Sequence, residues 1–187
     1  MLRPVLLAAF FALPLAAQPV LLEDVPTYSA GMGQLDGPFT LLSLDGAVVV
    51  SADAAVRSDS VSGAWDIGIR GTEVIVNGGA SGPGDRRGVL LGSTEAGDLG
   101  AVLARDGDGD CPRGPARIVC HGSGNGWYEY TGNGVQPLGR DLVIERPDGA
   151  RYRVRFVRYV LADPDASGAR PRLVTLEATP LSPAAGR

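Results

Sequence analysis

Apolar and polar positions alternate along most of this chain with a period of two, the pattern of half-buried β-strands. Phe39 to Leu44 and Ala47 to Ser51 are two such runs, joined by Asp45-Gly46, a dipeptide well suited to a tight hairpin turn. Trp65 to Arg70 follows the same rule and predicts Trp65, Ile67 and Ile69 on one buried face. Gly71 interrupts it, and Thr72 to Asn77 then predicts an antiparallel neighbour with Val74 and Val76 inside, both strands near the middle of a sheet. A second hairpin runs from Asp141 to Arg146 and from Arg151 to Val160, around Pro147-Asp148-Gly149. In its second arm Tyr152, Val154 and Phe156 face one way, and Arg151, Arg153 and Arg155 the other. An arginine row suits an acidic ligand, but on an antiparallel sheet it is more often a solvated face cross-paired with carboxylates such as Glu145. Arg172 to Ala178 is the last strand, and only Asp53 to Ser60 and Ser93 to Gly100 leave room for a helical turn. The expected fold class is all-β, with about nine or ten strands.

Composition narrows this further. The chain has 187 residues, of which 27 are glycine and 14 proline. That load excludes helical bundles, coiled coils and most α/β folds, because both residues break helix interiors. Charges number 17 basic, all arginine, against 21 acidic. A chain with no basic surplus is poorly equipped to neutralise a phosphate backbone, so nucleic-acid binding is not expected.

The first residues read as an export signal. Arg3 precedes an apolar core from Val5 to Leu15, and Leu15-Ala16-Ala17 offers a small-residue cleavage site. The core is shorter than the roughly 20 residues needed to span a bilayer. No cysteine follows it, so a lipid anchor on cysteine is not expected. The expectation is a cleaved leader over 1–17 and an exported protein in the periplasm, at the outer surface or secreted. An oxidising compartment favours a disulfide between Cys111 and Cys120, the two cysteines of the chain.

The run Trp65-Asp-Ile-Gly-Ile-Arg-Gly-Thr72, followed by Val74-Ile-Val-Asn-Gly-Gly79 and Ser81-Gly82, resembles the signature of the HmuY family of bacterial haem-binding proteins. The Leu42 to Val50 hairpin before it resembles that family too, as do Gly126-Trp-Tyr-Glu-Tyr130 and the Asp148-Gly149 hairpin with Tyr152 and Tyr159 behind it. The resemblance implies one HmuY-like all-β domain of twisted antiparallel sheets over 34–181, with an N-terminal extension at 18–33 and a tail at 182–187. It also implies haem held between loops at one end of the sheets, with two axial side chains, two histidines or a histidine and a methionine, and transfer of the haem to an outer-membrane receptor.

The chain departs from that ligand pattern. It has one histidine, His121, and beyond the leader one methionine, Met32, so a monomer cannot supply two histidines. Imidazole and thioether are both competent haem ligands. His121 and Met32, each in a glycine-flanked loop, are therefore the candidate iron ligands; without Met32 the iron would be five-coordinate, ligated by a tyrosine, or shared with a second chain's His121.

Competing chemistry is thinner. Asp106, Asp108 and Asp110 alternate with glycine, which suits an oxygen-liganded cation such as calcium. An EF-hand would need glycine and glutamate where Cys111 and Arg117 stand. His121-Gly-Ser-Gly lacks the first glycine of a nucleophile elbow, and no phosphate-loop, dinucleotide or zinc-protease pattern occurs. The functional expectation is haem binding without catalysis, with an exported structural or interaction domain, carrying calcium or no ligand, as the alternative.

Overall fold

A computed structural model describes residues 18–27, 37–46, 48–51, 62–92, 103–163 and 172–181. The leader, Met32, the tail and both candidate helical turns lie outside the described residues. Within them the protein is all-β, and the one helical element is a 3-10 turn at Gly79–Ser81.

Eleven strands form three antiparallel sheets. They are β1 (Val20–Thr27), β2 (Thr40–Ser43), β3 (Val48–Ser51), β4 (Ile67–Arg70), β5 (Glu73–Val76), β6 (Arg87–Leu91), β7 (Tyr128–Thr131), β8 (Gly134–Pro137), β9 (Asp141–Glu145), β10 (Arg151–Leu161) and β11 (Arg172–Leu181). The larger sheet runs β1-β11-β10-β9-β6, the second β3-β2-β4-β5, and β7-β8 is a separate ribbon. Both expected hairpins are present, β2 pairing with β3 and β9 with β10. The β9–β10 turn places Gly149 at φ 83° and closes with the Ala150 amide on the Asp148 carboxylate, a reversal glycine and aspartate favour.

Period-two alternation decides what the sheets bury. Leu42, Ile67, Ile69, Val74 and Val76 from the four-stranded sheet meet Leu142, Ile144, Val154, Phe156, Val174 and Leu176 from the five-stranded sheet in one core. Apolar faces of two sheets closed on one another remove both from water at once, the main driving term in such a fold. Thr40 donates its hydroxyl to the Pro26 carbonyl at 2.5 Å, sewing the sheets together at one edge.

Three expectations need adjustment. Trp65 does not share the face of Ile67 and Ile69; it packs with Leu41 and Ile75 in a separate cluster. The reason is local: β4 begins only at Ile67, and the intervening Asp66 turns its carboxylate inward to the Leu44 amide, breaking the alternation. β4 lies inside its sheet, whereas β5 is an edge. Residues read as an extension before the domain form β1, paired with β11 through a bulge between Leu22 and Val25, where Asp24 takes φ 51°. The arginine row is cross-paired: Arg151 meets Glu145 at 2.5 Å and Arg155 meets Asp141 at 2.7 Å.

Candidate functional site

The segment from Ala104 to Trp127 carries His121 and the three candidate aspartates, and four attachments fix it. Ala104 exchanges backbone bonds with Gly88 at the end of the larger sheet. Asp106 is 1% exposed, and its two carboxylate oxygens accept the amides of Val76 on β5 and Ile118, each at 2.9 Å. Cys111 and Cys120 are bridged, with Cα atoms 5.3 Å apart, as expected from the sequence. Trp127 anchors the far end: its Nε1 donates to the Thr72 carbonyl at 2.9 Å and its ring stacks on Phe156 of β10 with centroids 4.3 Å apart.

The disulfide closes a short loop. Removing it with the Cys111→Ser/Cys120→Ser pair is expected to lower stability by about 2–3 kcal/mol through the entropy returned to the unfolded chain. Urea unfolding of the oxidised protein and the double variant measures this, and equal midpoints would show that the clip restrains only the loop.

His121 follows the bridge directly and is exposed. Among the described residues its imidazole makes no hydrogen bond or ion pair, so its ring nitrogens are open to an incoming ligand. The loop beneath it is nevertheless well held. Gly124 donates to the Tyr128 carbonyl at 2.9 Å, and Ser123 Oγ accepts the Tyr130 amide at 2.7 Å. The Arg140 guanidinium gathers the carbonyls of Gly124, Asn125 and Gly126 at 3.1, 3.0 and 2.7 Å. The chain closes so tightly that a Cβ on Gly126 would lie 2.2 Å from the Cys120 carbonyl, which reserves that position for glycine. An accessible donor on a restrained loop loses less conformational freedom on binding than one on a free loop.

Three tyrosines lie around this end. Tyr130 is 57% exposed and packs edge-on against Tyr128. Burial raises the pKa of Tyr128 and of Tyr159, which disfavours either as an anionic ligand and leaves Tyr130 as the accessible phenol. Met32, the other candidate iron ligand, lies outside the described residues.

The aspartate run does not converge either. Asp106 points inward on two backbone amides, Asp108 and Asp110 are exposed, and no group of three metal-capable side chains forms among the described residues. Asp106 is a fastening. Asp106→Asn would turn an amide NH₂ against one of two buried N–H groups, and about 1–3 kcal/mol of stability is expected to be lost. Thermal unfolding with and without calcium tests both readings: a calcium-dependent rise in the wild-type midpoint would restore the cation site.

The signature residues are also structural. Asp66, fully buried, receives the Leu44 amide at 2.7 Å, Arg86 Nε at 2.8 Å and Arg146 Nε at 3.3 Å. Asn77 donates to the Trp65 and Ser62 carbonyls and accepts the Gly84 amide. Arg86 and Arg146 were missed by sequence reasoning, because no local spacing links positions so far apart to Asp66.

No protein-family model matches the sequence, and no curated protein matches it. Solved structures do. A candidate HmuY-like haem-binding protein from Bacteroides vulgatus ATCC 8482 superposes with a TM-score of 0.50 at 14% identity, covering 89% of this chain and 93% of that one. The fold is HmuY-like. Apo PinO from Porphyromonas gingivitis (16% identity, 89% and 99% coverage) and the Tannerella forsythia apo HmuY analogue (10%, 88% and 96%) align with lower TM-scores of 0.39 and 0.34. Within the HmuY-like fold of this chain, the Trp65 to Gly82 signature builds a buried joint, and the exposed donor lies elsewhere, on the His121 loop.

Proposed function

We propose that this protein binds haem outside the cytoplasm and hands it to an outer-membrane receptor. The observation that carries the reading is the chain's one imidazole, exposed and unengaged on a disulfide-clipped loop of a HmuY-like fold. The donor set fits one axial position: His121 would hold the iron, and Arg140 and the Cys111–Cys120 bridge would hold His121. When bound, haem supplies an iron whose properties follow its axial ligands. Met32, Tyr130 or His121 of a second copy would supply a further ligand, or a side chain of the receptor would. The export signal and the disulfide agree with an oxidising compartment. The reading calls for no catalytic step.

Titrating the mature protein with haemin tests this. A saturable Soret band at about one haem per chain, or per two chains if His121 is shared, is the expected result. No spectral change beyond free haemin would leave the alternative, an exported interaction domain on the same fold.

A further inference from the structure

The disulfide that precedes His121 also frames an exposed tip. Residues 112–116, inside the Cys111–Cys120 loop, are all exposed. Among the described residues, no backbone or side-chain group from Pro112 to Pro115 makes a hydrogen bond or ion pair. Gly114 turns the tip with φ 84°, and a Cβ there would meet nothing within 4 Å. The fastenings lie behind it. Gly107 donates to the Ala116 carbonyl at 2.8 Å, and Ile118 donates to Asp106 at 2.9 Å.

Two arginines share this loop and are placed oppositely. Arg117 Nη2 is pinned to Glu73 at 2.8 Å, and the bond after it leads into Ile118, which is buried. Arg113 is exposed, and its guanidinium has no partner among the described residues. Arg153 is unpartnered as well, but it is half-buried in the middle of β10, with β9 and β11 paired on either side. Arginine-specific endopeptidases seat a guanidinium in an acidic pocket and need the flanking backbone within reach. A bond inside a paired strand is reached only after local opening, whereas exposed loop tips are the preferred places for nicking.

We propose that the Arg113–Gly114 bond is a processing site for an arginine-specific endopeptidase, and that the cut protein persists as two chains in one fold. Water adds across the bond, leaving a carboxylate on Arg113 and an amine on Gly114. The strand order makes the cut survivable. β1 to β6 lie before it and β7 to β11 after it, yet the larger sheet runs β1-β11-β10-β9-β6. Strands of the first piece therefore flank those of the second on both sides. The Cys111–Cys120 bridge, with one cysteine in each piece, becomes the covalent joint between them. Haem has no part in this, so either reading can fail alone.

Limited digestion of the folded mature protein with trypsin tests the proposal. Mass spectrometry should find a new amino terminus at Gly114, formed at least about tenfold faster than a cut after any other described arginine, because those bonds must first be opened. The cut pieces should migrate as one species on a non-reducing denaturing gel and as two after reduction. Before reduction, the cut protein should still unfold in a single thermal transition. Arg113→Gln, a change on an exposed tip, should remove the Gly114 terminus. An equal or faster cut after another described arginine, survival of the Arg113–Gly114 bond until urea unfolds the chain, or loss of the thermal transition on cutting would each overturn the proposal.

Discussion

Asp66→Ala is expected to lower stability by about 3–5 kcal/mol, the range seen when one partner of a buried ion pair is deleted. The Asp66 carboxylate is 0% exposed, and the Arg86 side chain that donates to it at 2.8 Å is 6% exposed. Truncation would leave that guanidinium in the interior with one remaining bond, from Nη1 to the Gly84 carbonyl at 2.8 Å. It would also orphan the Leu44 amide and release Arg146. Domains of this size hold only about 5–15 kcal/mol in total, so a large share would go. Urea unfolding monitored by tryptophan fluorescence measures the loss. The pair Asp66→Leu/Arg86→Met separates net stabilisation from the penalty of an unpaired charge, because well-packed apolar replacements for a buried pair are often tolerated. A single-variant loss below about 1 kcal/mol would mean that water reaches Arg86 and that the joint is softer than its burial implies.

His121→Ala is expected to remove haem binding, or to weaken it at least about 100-fold, more than the roughly 10–100-fold typical when a ligand's supporting partner is lost. No other imidazole exists in the chain to replace it. Three further variants locate the opposite ligand. Met32→Leu should shift the Soret band only if the thioether is bound, and Tyr130→Phe only if the phenolate is. If neither does and stoichiometry is one haem per two chains, His121 of a second copy is the partner. Arg140→Ala should weaken binding less than His121→Ala, since it loosens the loop without removing the donor. A His121→Ala protein with unchanged spectrum and affinity would refute the ligand assignment while leaving the fold assignment untouched.

Much of the fold was legible because the residues that build it are local. Ile67, Ile69, Val74 and Val76 alternate on short strands, and the Asp-Gly turns stand between runs that pair with each other. What escaped depended on distant residues or on a break in the period. Trp65 changed sides because Asp66 is drawn inward by Leu44, Arg86 and Arg146, and nothing near Trp65 in sequence announces that. β1 was obscured by Pro26 and by the positive φ of Asp24, both uncharacteristic of strands. The Asp106 run illustrates the limit for sites: alternate aspartates suit a cation loop, yet one of the three carboxylates is spent on backbone amides. The imidazole, by contrast, could be singled out by count alone.

The Asp106 carboxylate also bears on how the molecule behaves in company. β5 is the edge of its sheet, and an unprotected edge offers its amides to a strand from any other chain. At Val76 that invitation is withdrawn, because the amide is already held by a side chain. A second molecule trying to extend the sheet would meet a buried carboxylate and the clipped loop behind it. The same bond that seats the His121 loop thereby guards against edge-to-edge aggregation. Loosening of the loop, by reduction of the bridge or by substitution at Asp106, should show itself in concentrated solution as self-association along β5 before it shows as loss of fold.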